Sequence, residues 1–92
     1  MSYQKTFKAL SEPTRREILM LLRKESMSAG EIASKFKMTN ATISHHLSVL
    51  KEAEIVIDRR KGKYIIYELN SSVIEDIIVW FLNLKGDEED EK

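Results

Sequence analysis

A short two-faced helix directly before a β-hairpin, over residues 39–69, constrains the fold more than any other feature of the chain. In the helix segment TNATISHHLSVLKEAE, the apolar residues Ile43, Leu47 and Leu50 recur at the spacing of one buried stripe. Two runs rich in β-branched and aromatic residues follow, IVID and KYIIYEL, joined through Arg60-Lys61-Gly62. The segment therefore predicts a helix that packs on one side and leads into a hairpin with a cationic turn.

Capping signals predict three further helices before this segment. Residues 3–10 form a short helical stretch, and Ser11 is expected to cap a second helix that has an acid and a proline in its first turn. Ser28 and Glu31 have the spacing of a capping box for a third helix. Thr39 is the expected cap of the fourth helix, the two-faced one.

A fifth helix, VIEDIIVWFLNLK, is predicted after the cap Asn70-Ser71-Ser72. The predicted fold is thus mainly α with a β-hairpin wing: four helices, two strands and a last helix, the order of a winged helix-turn-helix. One domain is expected over residues 1–85, because 92 residues build only a modest core. Residues 86–92, GDEEDEK, are expected to form an acidic disordered tail.

Composition excludes several classes of protein. The chain has no cysteine, so disulfides, thiolate metal sites and cysteine nucleophiles are excluded. The start of the sequence shows no signal-peptide pattern, and the apolar run IIVWFL at 77–82 is too short to span a bilayer. We therefore expect a soluble, cytoplasmic protein.

The net charge of zero hides an uneven distribution. Residues 1–70 contain 13 Lys and Arg against 8 Asp and Glu, whereas residues 71–92 contain 2 against 7. Nucleic-acid binding depends on where the positive charge lies rather than on the total. The basic excess lies in the part of the chain that holds the two-faced helix and the hairpin, which favours DNA as a partner.

The side of the fourth helix opposite its apolar stripe carries short side chains that allow close approach to base edges. We name this side the recognition face: Ala41, Thr42, Ser44, His45 and Ser48. Thr39 and Asn40 stand at the helix N-terminus, where free N–H groups and the helix dipole favour a phosphate. The same residues would also suit an ordinary exposed surface, so the helix alone leaves both interpretations open.

The two adjacent histidines are expected to have different roles. His46 falls on the buried side and is predicted to be a hydrogen-bonded structural residue, whereas His45 falls on the recognition face. Neighbouring residues diverge by about 100° around a helix, which makes the two a poor pair of metal ligands. No metal and no cofactor are therefore predicted.

The hairpin turn concentrates positive charge around one glycine. Arg59, Arg60, Lys61 and Lys63 surround Gly62, which permits the positive φ of a tight turn. Cations at this tip would gain free energy from counterion release on DNA. A solvated loop whose charges only aid solubility is the alternative, and it is disfavoured by the adjacent two-faced helix. Arg60, Lys61 and Lys63 are the predicted contacts.

Arg15 and Arg16, in the first turn of the second helix, have two possible roles. Helix ends near a helix-turn-helix motif cross the phosphate backbone, so both could contact DNA. Salt bridges to Glu12 or Glu54 are an equally good interpretation of the sequence.

The last helix is too apolar for a helix that packs on one side only. Part of it should pack on the domain and part on a second copy of the chain, although it could also line a ligand pocket. A two-fold dimer would match a palindromic operator. The predicted dimer interface comprises residues of the first and last helices: Tyr3, Phe7, Leu10, Ile77, Trp80, Phe81 and Leu84.

Two functions remain after these exclusions. The favoured one is a dimeric, sequence-specific DNA-binding transcriptional repressor, and the alternative is a winged-helix module that docks a protein partner. Docking does not require four cations around one glycine, so the basic tip favours DNA. An enzyme is not expected, because the sequence shows no nucleophile–base set, no phosphate-binding glycine loop and no metal cluster.

Three motifs carry a resemblance to a known family. The segments SEPTRREIL at 11–19, TISHHLSVLKEAEIV at 42–56 and RRKGKYIIYEL at 59–69 resemble the ArsR/SmtB-type bacterial repressors, closest to the non-metal autorepressor branch of the sporulation-delay type. The resemblance implies a homodimer that binds an AT-rich inverted repeat and is released by an inducer. It places DNA contacts at Thr39, Asn40, Ala41, Thr42, Ser44, His45, Arg60, Lys61 and Lys63, and dimer helices at 3–10 and 72–84.

The chain departs from the family pattern in two places. The metal sensors of the family use cysteine pairs or Asp/His/Glu sets on the last helix, and this last helix offers only the neighbours Glu75 and Asp76. Glu54 replaces the glycine usual at the end of the recognition helix, which predicts a different C-cap. In related autorepressors a membrane protein captures the repressor, so a membrane or soluble protein is the inducer that the resemblance implies.

Overall fold

The computed structural model describes residues 2–86 of the chain, and within them it contains five helices and one antiparallel sheet of three strands. The predicted tail at 86–92 lies, apart from Gly86, outside the described residues. The helices are α1 (Tyr3–Leu10), α2 (Pro13–Lys24), α3 (Ala29–Phe36), α4 (Asn40–Glu52) and α5 (Ser71–Lys85). The strands are β1 (Met27–Ser28), β2 (Val56–Lys61) and β3 (Tyr64–Leu69).

The hairpin belongs to a larger sheet than the sequence predicted. The strand order is β1-β3-β2, and the two residues of β1 pair with β3 in the register Met27↔Tyr67 and Ser28↔Ile66. The hairpin β2–β3, which we call the wing, is thereby tied at its base to the start of α3. Two residues are too few to show strand alternation, which is why β1 was missed.

The prediction that Ser11 caps α2 is wrong. Ser11 ends α1 instead, with its N–H and its hydroxyl both bonded to the carbonyl of Lys8 at 3.2 and 2.7 Å. The cap of α2 is Glu12, whose carboxylate accepts a hydrogen bond from the Arg15 N–H at 3.0 Å. A carboxylate caps the next helix well because the dipole also favours its charge. Desolvation raises the pKa of the Glu12 carboxyl, but the hydrogen bond from the Arg15 N–H and the nearby His46 outweigh it, so the pKa lies below its ordinary value.

The caps of α3 and α4 are those predicted from the sequence. Ser28 and Glu31 form the reciprocal capping box of α3, with bonds of 2.9 and 3.2 Å. Thr39 caps α4 by accepting the Thr42 N–H at 3.1 Å. The turn between the two helices depends on Lys37, which takes the left-handed conformation at φ 55°.

The end of α4 keeps the backbone path of a glycine cap although the residue is Glu54. This residue has φ 65°, its N–H donates to the Lys51 carbonyl, and the Ile55 N–H donates to the Leu50 carbonyl. The prediction that Glu54 requires a different C-cap is therefore wrong for the backbone. The Asn70 side-chain amide donates to the Glu54 carbonyl at 3.0 Å, although Asn70 makes no side-chain bond to the N-terminus of α5 that it precedes. The residue predicted to cap α5 therefore fastens the end of α4.

One apolar core lies beneath α4 and joins it to the other elements. The stripe Ile43, Leu47 and Leu50 is fully buried, together with Ile18 of α2 and Ile32 of α3. From α5, Val73 and Ile77 reach this core, so the N-terminal half of α5 packs on the domain. The recognition face is thus carried by a helix whose opposite side is anchored at every turn.

We expect Lys37→Gly to raise the free energy of unfolding by about 0.5–1 kcal/mol relative to Lys37→Ala. Both variants remove the same exposed charge, but only glycine relieves the cost of a Cβ in the left-handed region, a gain partly offset by its greater freedom in the unfolded chain. Urea unfolding followed by circular dichroism measures the difference. Equal stability of the two variants would contradict the strain assigned to this turn.

Candidate nucleic-acid interface

The exposed side of α4 consists of the residues predicted from the helical spacing. All five residues of the recognition face are exposed, while the stripe on the opposite side is at most 1% exposed. The side chains on this face are short, so the α4 backbone can come close to a flat partner such as the floor of a DNA groove. The exposed residues on this side are thus free of the core of their own chain.

Thr39 and Thr42, at the N-terminus of α4, have different roles. The Thr39 oxygen accepts the Thr42 N–H, and its hydroxyl donates to the Thr42 oxygen at 3.0 Å. The Thr42 hydroxyl acts as acceptor in that pair, so its own hydrogen can be donated outward. The first-turn N–H groups of Asn40 and Ala41 also point out of the helix end. Thr39 therefore orients the helix end, while the Thr42 hydroxyl and the N–H groups of Asn40 and Ala41 are the donors available to a partner.

The two histidines have the separate environments predicted for them. His45 is exposed on the recognition face, whereas His46 is 9% exposed and its Nδ1 lies 3.2 Å from Nη1 of Arg15. Burial is the main cause that lowers the pKa of His46, with Arg15 acting in the same direction and Glu12 opposing. The prediction that His46 is a hydrogen-bonded structural residue is confirmed.

Arg15 is buried, and its guanidinium bonds to the end of α1. Its side chain is only 8% exposed, and besides the His46 contact it donates from Nε to the Ala9 carbonyl at 2.8 Å and from Nη2 to the Lys8 carbonyl at 3.2 Å. The guanidinium thus closes the end of α1, and its burial disfavours the phosphate contact that the sequence left open for this residue. Arg16 is exposed and donates to the Leu10 carbonyl at 2.8 Å.

The wing presents its cations unequally. The turn holds Gly62 at φ 64°, and Lys61 pairs with Tyr64 across it. Arg59 forms an ion pair with Glu68 at 3.4 Å on the exposed surface of the hairpin, so part of its charge is compensated. Lys63 lies 5.6 Å from the centre of the Tyr64 ring. Arg60, Lys61 and Lys63, the three predicted contacts, are all exposed at the tip.

Lys51 and Asp58 connect the recognition helix to the base of the wing. Their Nζ and Oδ2 atoms are 2.9 Å apart, and the hydrogen bond with Asp58 raises the pKa of Lys51. Both side chains are partly exposed, so solvent screens the pair and it contributes little to stability. The pair links the end of α4 to β2.

The predicted dimer residues divide between an aromatic cluster and the core. Tyr3 and Phe7 of α1 pack on Trp80 of α5, with ring centres 5.7 and 5.2 Å apart, and Phe81 lies 6.1 Å from Phe7. Leu10 is half-buried against the core. Ile77 is 9% exposed inside the core of its own chain, so its side chain is already covered without a second copy.

The second half of α5 leaves an apolar surface uncovered. We call it the apolar face of α5: Ile78, Val79, Phe81, Leu82 and Leu84, each at least 43% exposed. The sequence prediction identified Phe81 and Leu84 of this set. It did not name the other three as interface residues, because the helix is apolar on several sides and its spacing does not show which side the domain covers.

Two further kinds of feature are absent from the described part of the chain. Residues 2–86 contain no group of three or more His, Cys, Asp or Glu side chains placed to hold a metal ion. Over the same residues, no helix combines the length and apolar character needed to cross a membrane.

Comparison with known proteins agrees with this geometry. Residues 12–58 match the family described as bacterial regulatory protein, arsR family. The transcriptional repressor SdpR of Bacillus subtilis is 53% identical over 83 residues, which cover 88% of this chain and 92% of SdpR. The arsenical resistance operon repressor of Staphylococcus aureus is 36% identical over 81 residues, covering 85% and 78% of the two chains.

A solved structure gives the same fold. The homodimeric winged helix-turn-helix DNA-binding domain of a possible ArsR-family regulator from Mycobacterium bovis superimposes with a TM-score of 0.76 at 26% identity. The match covers 97% of this chain and 83% of that one. The predicted winged helix-turn-helix is confirmed, with the addition of β1.

Proposed function

This chain belongs to the arsR family of bacterial regulatory proteins, and we propose that it is a transcriptional repressor that binds an inverted-repeat DNA operator as a homodimer, without a metal ion. Members of this family are regulators, so the prediction that the chain is not an enzyme is confirmed. The observation that carries the proposal is the recognition face of α4 beside the cationic tip of the wing.

The recognition face supports base reading in the major groove. Thr42 and Ser44 are exposed hydroxyls that can donate to or accept from base edges, and His45 adds a ring nitrogen beside them. Ala41 is short enough for the backbone to approach closely, and Ser48 lies one turn further along the same side of α4. These residues, with Asn40 and the cap Thr39, form the proposed base-reading and phosphate-binding end of α4.

The wing supports sequence-independent attraction to the DNA backbone. Arg60, Lys61 and Lys63 are exposed around Gly62 on a hairpin held at its base by β1 and by the Lys51–Asp58 pair. Cations on a rigid hairpin lose less conformational freedom on binding than cations on a free loop. We assign the wing to phosphate contacts and the recognition face to sequence discrimination.

The apolar face of α5 supports a second copy as the partner. Five exposed apolar side chains on one helix form a surface of the kind that marks an interaction site. The adjacent aromatic cluster of Tyr3, Phe7 and Trp80 would extend this surface onto α1. The M. bovis domain is described as homodimeric, which favours a two-fold arrangement here as well.

The chemistry of α5 supports regulation without a metal ion. The chain has no cysteine, and the acidic residues of α5, Glu75 and Asp76, are sequence neighbours that diverge around the helix. The inducer is proposed to be a protein, membrane-bound or soluble, on the family resemblance alone. Protein docking as the main function, the alternative considered above, would use the apolar face of α5 but would leave the wing cations without a role.

Enrichment of genomic fragments bound by the purified protein tests the function directly. We expect one family of duplexes with two inverted half-sites about one helical turn apart. Enrichment of unrelated sequences in proportion to their length would contradict operator binding. The best enriched duplex then serves as the operator in the experiments below.

The double variant Arg60→Ala with Lys61→Ala should weaken binding to all DNA and flatten the salt dependence by about two units of log–log slope. Two phosphate contacts are lost, and fewer counterions are then released on binding. The matched control is Arg23→Ala with Lys24→Ala, which removes equal charge from the exposed end of α2. A slope in fluorescence titration that stays at the wild-type value would disprove the wing assignment.

Thr42→Ala or Ser44→Ala should lose about 1–3 kcal/mol more binding free energy for the operator than for random DNA. The reason is that each hydroxyl is proposed to meet a base edge rather than a phosphate. Ser34→Ala, an exposed hydroxyl on α3, is the control and should change neither affinity. Equal losses on the two DNAs would show that the recognition face does not discriminate sequence.

Leu84→Asp should convert the dimer to a monomer without unfolding it, because the side chain is 69% exposed in the single chain. An acid in an apolar interface must lose its hydration. Met20→Asp places the same charge at an exposed apolar position of α2 and should leave the dimer intact. Sedimentation velocity measures the oligomeric state of both variants. If the Leu84→Asp protein is still a dimer, the C-terminal part of α5 is not in the interface.

A further inference from the structure

A buried side chain joins three helices at one point. Arg15 of α2 donates to the carbonyls of Ala9 and Lys8 at the end of α1, and its Nη1 lies 3.2 Å from Nδ1 of His46 in α4. Arg15 and His46 are 8% and 9% exposed, so the contact is largely sheltered from water. We call this pair the clamp. Its contacts tie the recognition helix to α1 and α2 through a titratable group.

We propose that the clamp sets the position of α4 relative to α1, and that a proton on His46 opens it and weakens operator binding. The inference rests on the proposed function, since its consequence is a change in DNA affinity. Arg15 and His46 act as positioning residues, because neither lies on the recognition face.

The clamp requires the neutral form of His46. A guanidinium has only donors, so the Nδ1 atom that faces Arg15 must carry a lone pair, and the ring proton must be on Nε2. A second proton would turn this acceptor into a donor and place two cations 3.2 Å apart. Two like charges in a poorly solvated place repel each other strongly. The Arg15–His46 contact would therefore be lost.

The charges around His46 come from three positions. Glu12 and Arg15 face it from the start of α2, and His45 is its neighbour on α4. From α1, the Lys8 and Ala9 backbone carbonyls act on it through Arg15. Of the acidic groups on the other elements packed on α4, Asp58 of β2 pairs with Lys51 and Glu31 of α3 bonds to Ser28.

Burial and Arg15 outweigh Glu12, so the pKa of His46 lies below its ordinary value of 6.5. The unfolded chain then binds this proton at a higher pH than the folded chain. The stabilisation from neutral His46 is complete above pH 6.5 and is lost as the pH falls from there through the folded-state pKa. The free energy of unfolding should therefore rise with pH across this window.

The position of α4 matters because α1 is part of the predicted dimer contact. Phe7 of α1 packs on Trp80 of α5 at 5.2 Å, next to the apolar face of α5. In a two-fold dimer, the distance between the two recognition helices depends on how each α4 sits on its own α1 and α5. An operator of fixed half-site spacing requires that distance, whereas random DNA does not. Opening the clamp should reduce the preference for operator more than the affinity for DNA in general.

The test compares wild type with His46→Asn and His45→Asn, using the enriched duplex and a random duplex at pH 8.0 and 5.5. Asparagine at position 46 offers an acceptor close to the place of Nδ1 but cannot be protonated, and His45→Asn removes the exposed neighbour as a matched control. His45 lies on the recognition face, so His45→Asn is expected to lower the operator-over-random affinity ratio at both pH values, and each protein is therefore compared with its own ratio at pH 8.0. Relative to that value, we expect the ratio of wild type and of His45→Asn to fall about threefold or more at pH 5.5. The ratio of His46→Asn should stay constant.

Ring-proton NMR of the His45→Asn protein, without DNA, supplies a second readout that does not depend on the function. It should give a His46 pKa below 6.5, and an Arg15→Lys change should move that value. A pH-independent ratio in wild type, or an equal fall in His46→Asn, would overturn the clamp while leaving operator binding intact. No operator preference at pH 8.0 in any variant would overturn the proposed function and this inference together. If His46→Asn does not fold, wild type against His45→Asn still decides.

Discussion

The structure depends on the burial of one stripe of α4, Ile43, Leu47 and Leu50. These three side chains are removed from water against Ile18 of α2 and Ile32 of α3, and each such burial contributes about 1.5–3 kcal/mol. When one side of a helix is buried in the core, the residues on the opposite side are exposed to solvent. The stripe therefore sets both the fold and the direction of the recognition face, and a change in its register would alter both.

The path from α4 into the wing depends on a set of hydrogen bonds together with the burial of Ile55 and Val56. Glu54 adopts the left-handed conformation, its carbonyl accepts from the Asn70 amide, and the Asn70 N–H donates to the Ile55 carbonyl at 2.9 Å. These bonds connect the end of α4, the start of β2 and the start of α5. The direction of the wing is thus determined at the same point where the last helix leaves the domain.

Most features with a local cause could be predicted from the sequence, the cap of α2 being an exception, whereas features with a tertiary cause could not. The caps at Ser28 and Thr39 and the two sides of α4 follow from residues within one or two turns of each other. The strand β1 exists only because β3 lies beside it. Arg15 was assigned to DNA or to a salt bridge because nothing local shows that the Ala9 carbonyl lies within its reach. In α5, composition gave an apolar helix, but only packing separated the buried Ile77 from the exposed Ile78.

The strand order also has a consequence for the protein when no DNA is bound. Because β3 is central, β2 is an edge strand, and its outer backbone groups could pair with a strand of another molecule. Arg59, Arg60 and Lys61 occupy the outer half of that strand. Like charges repel a second copy of the same strand, so the cations protect an open sheet edge from self-association. A wing made neutral to weaken DNA binding would also lose this protection against aggregation.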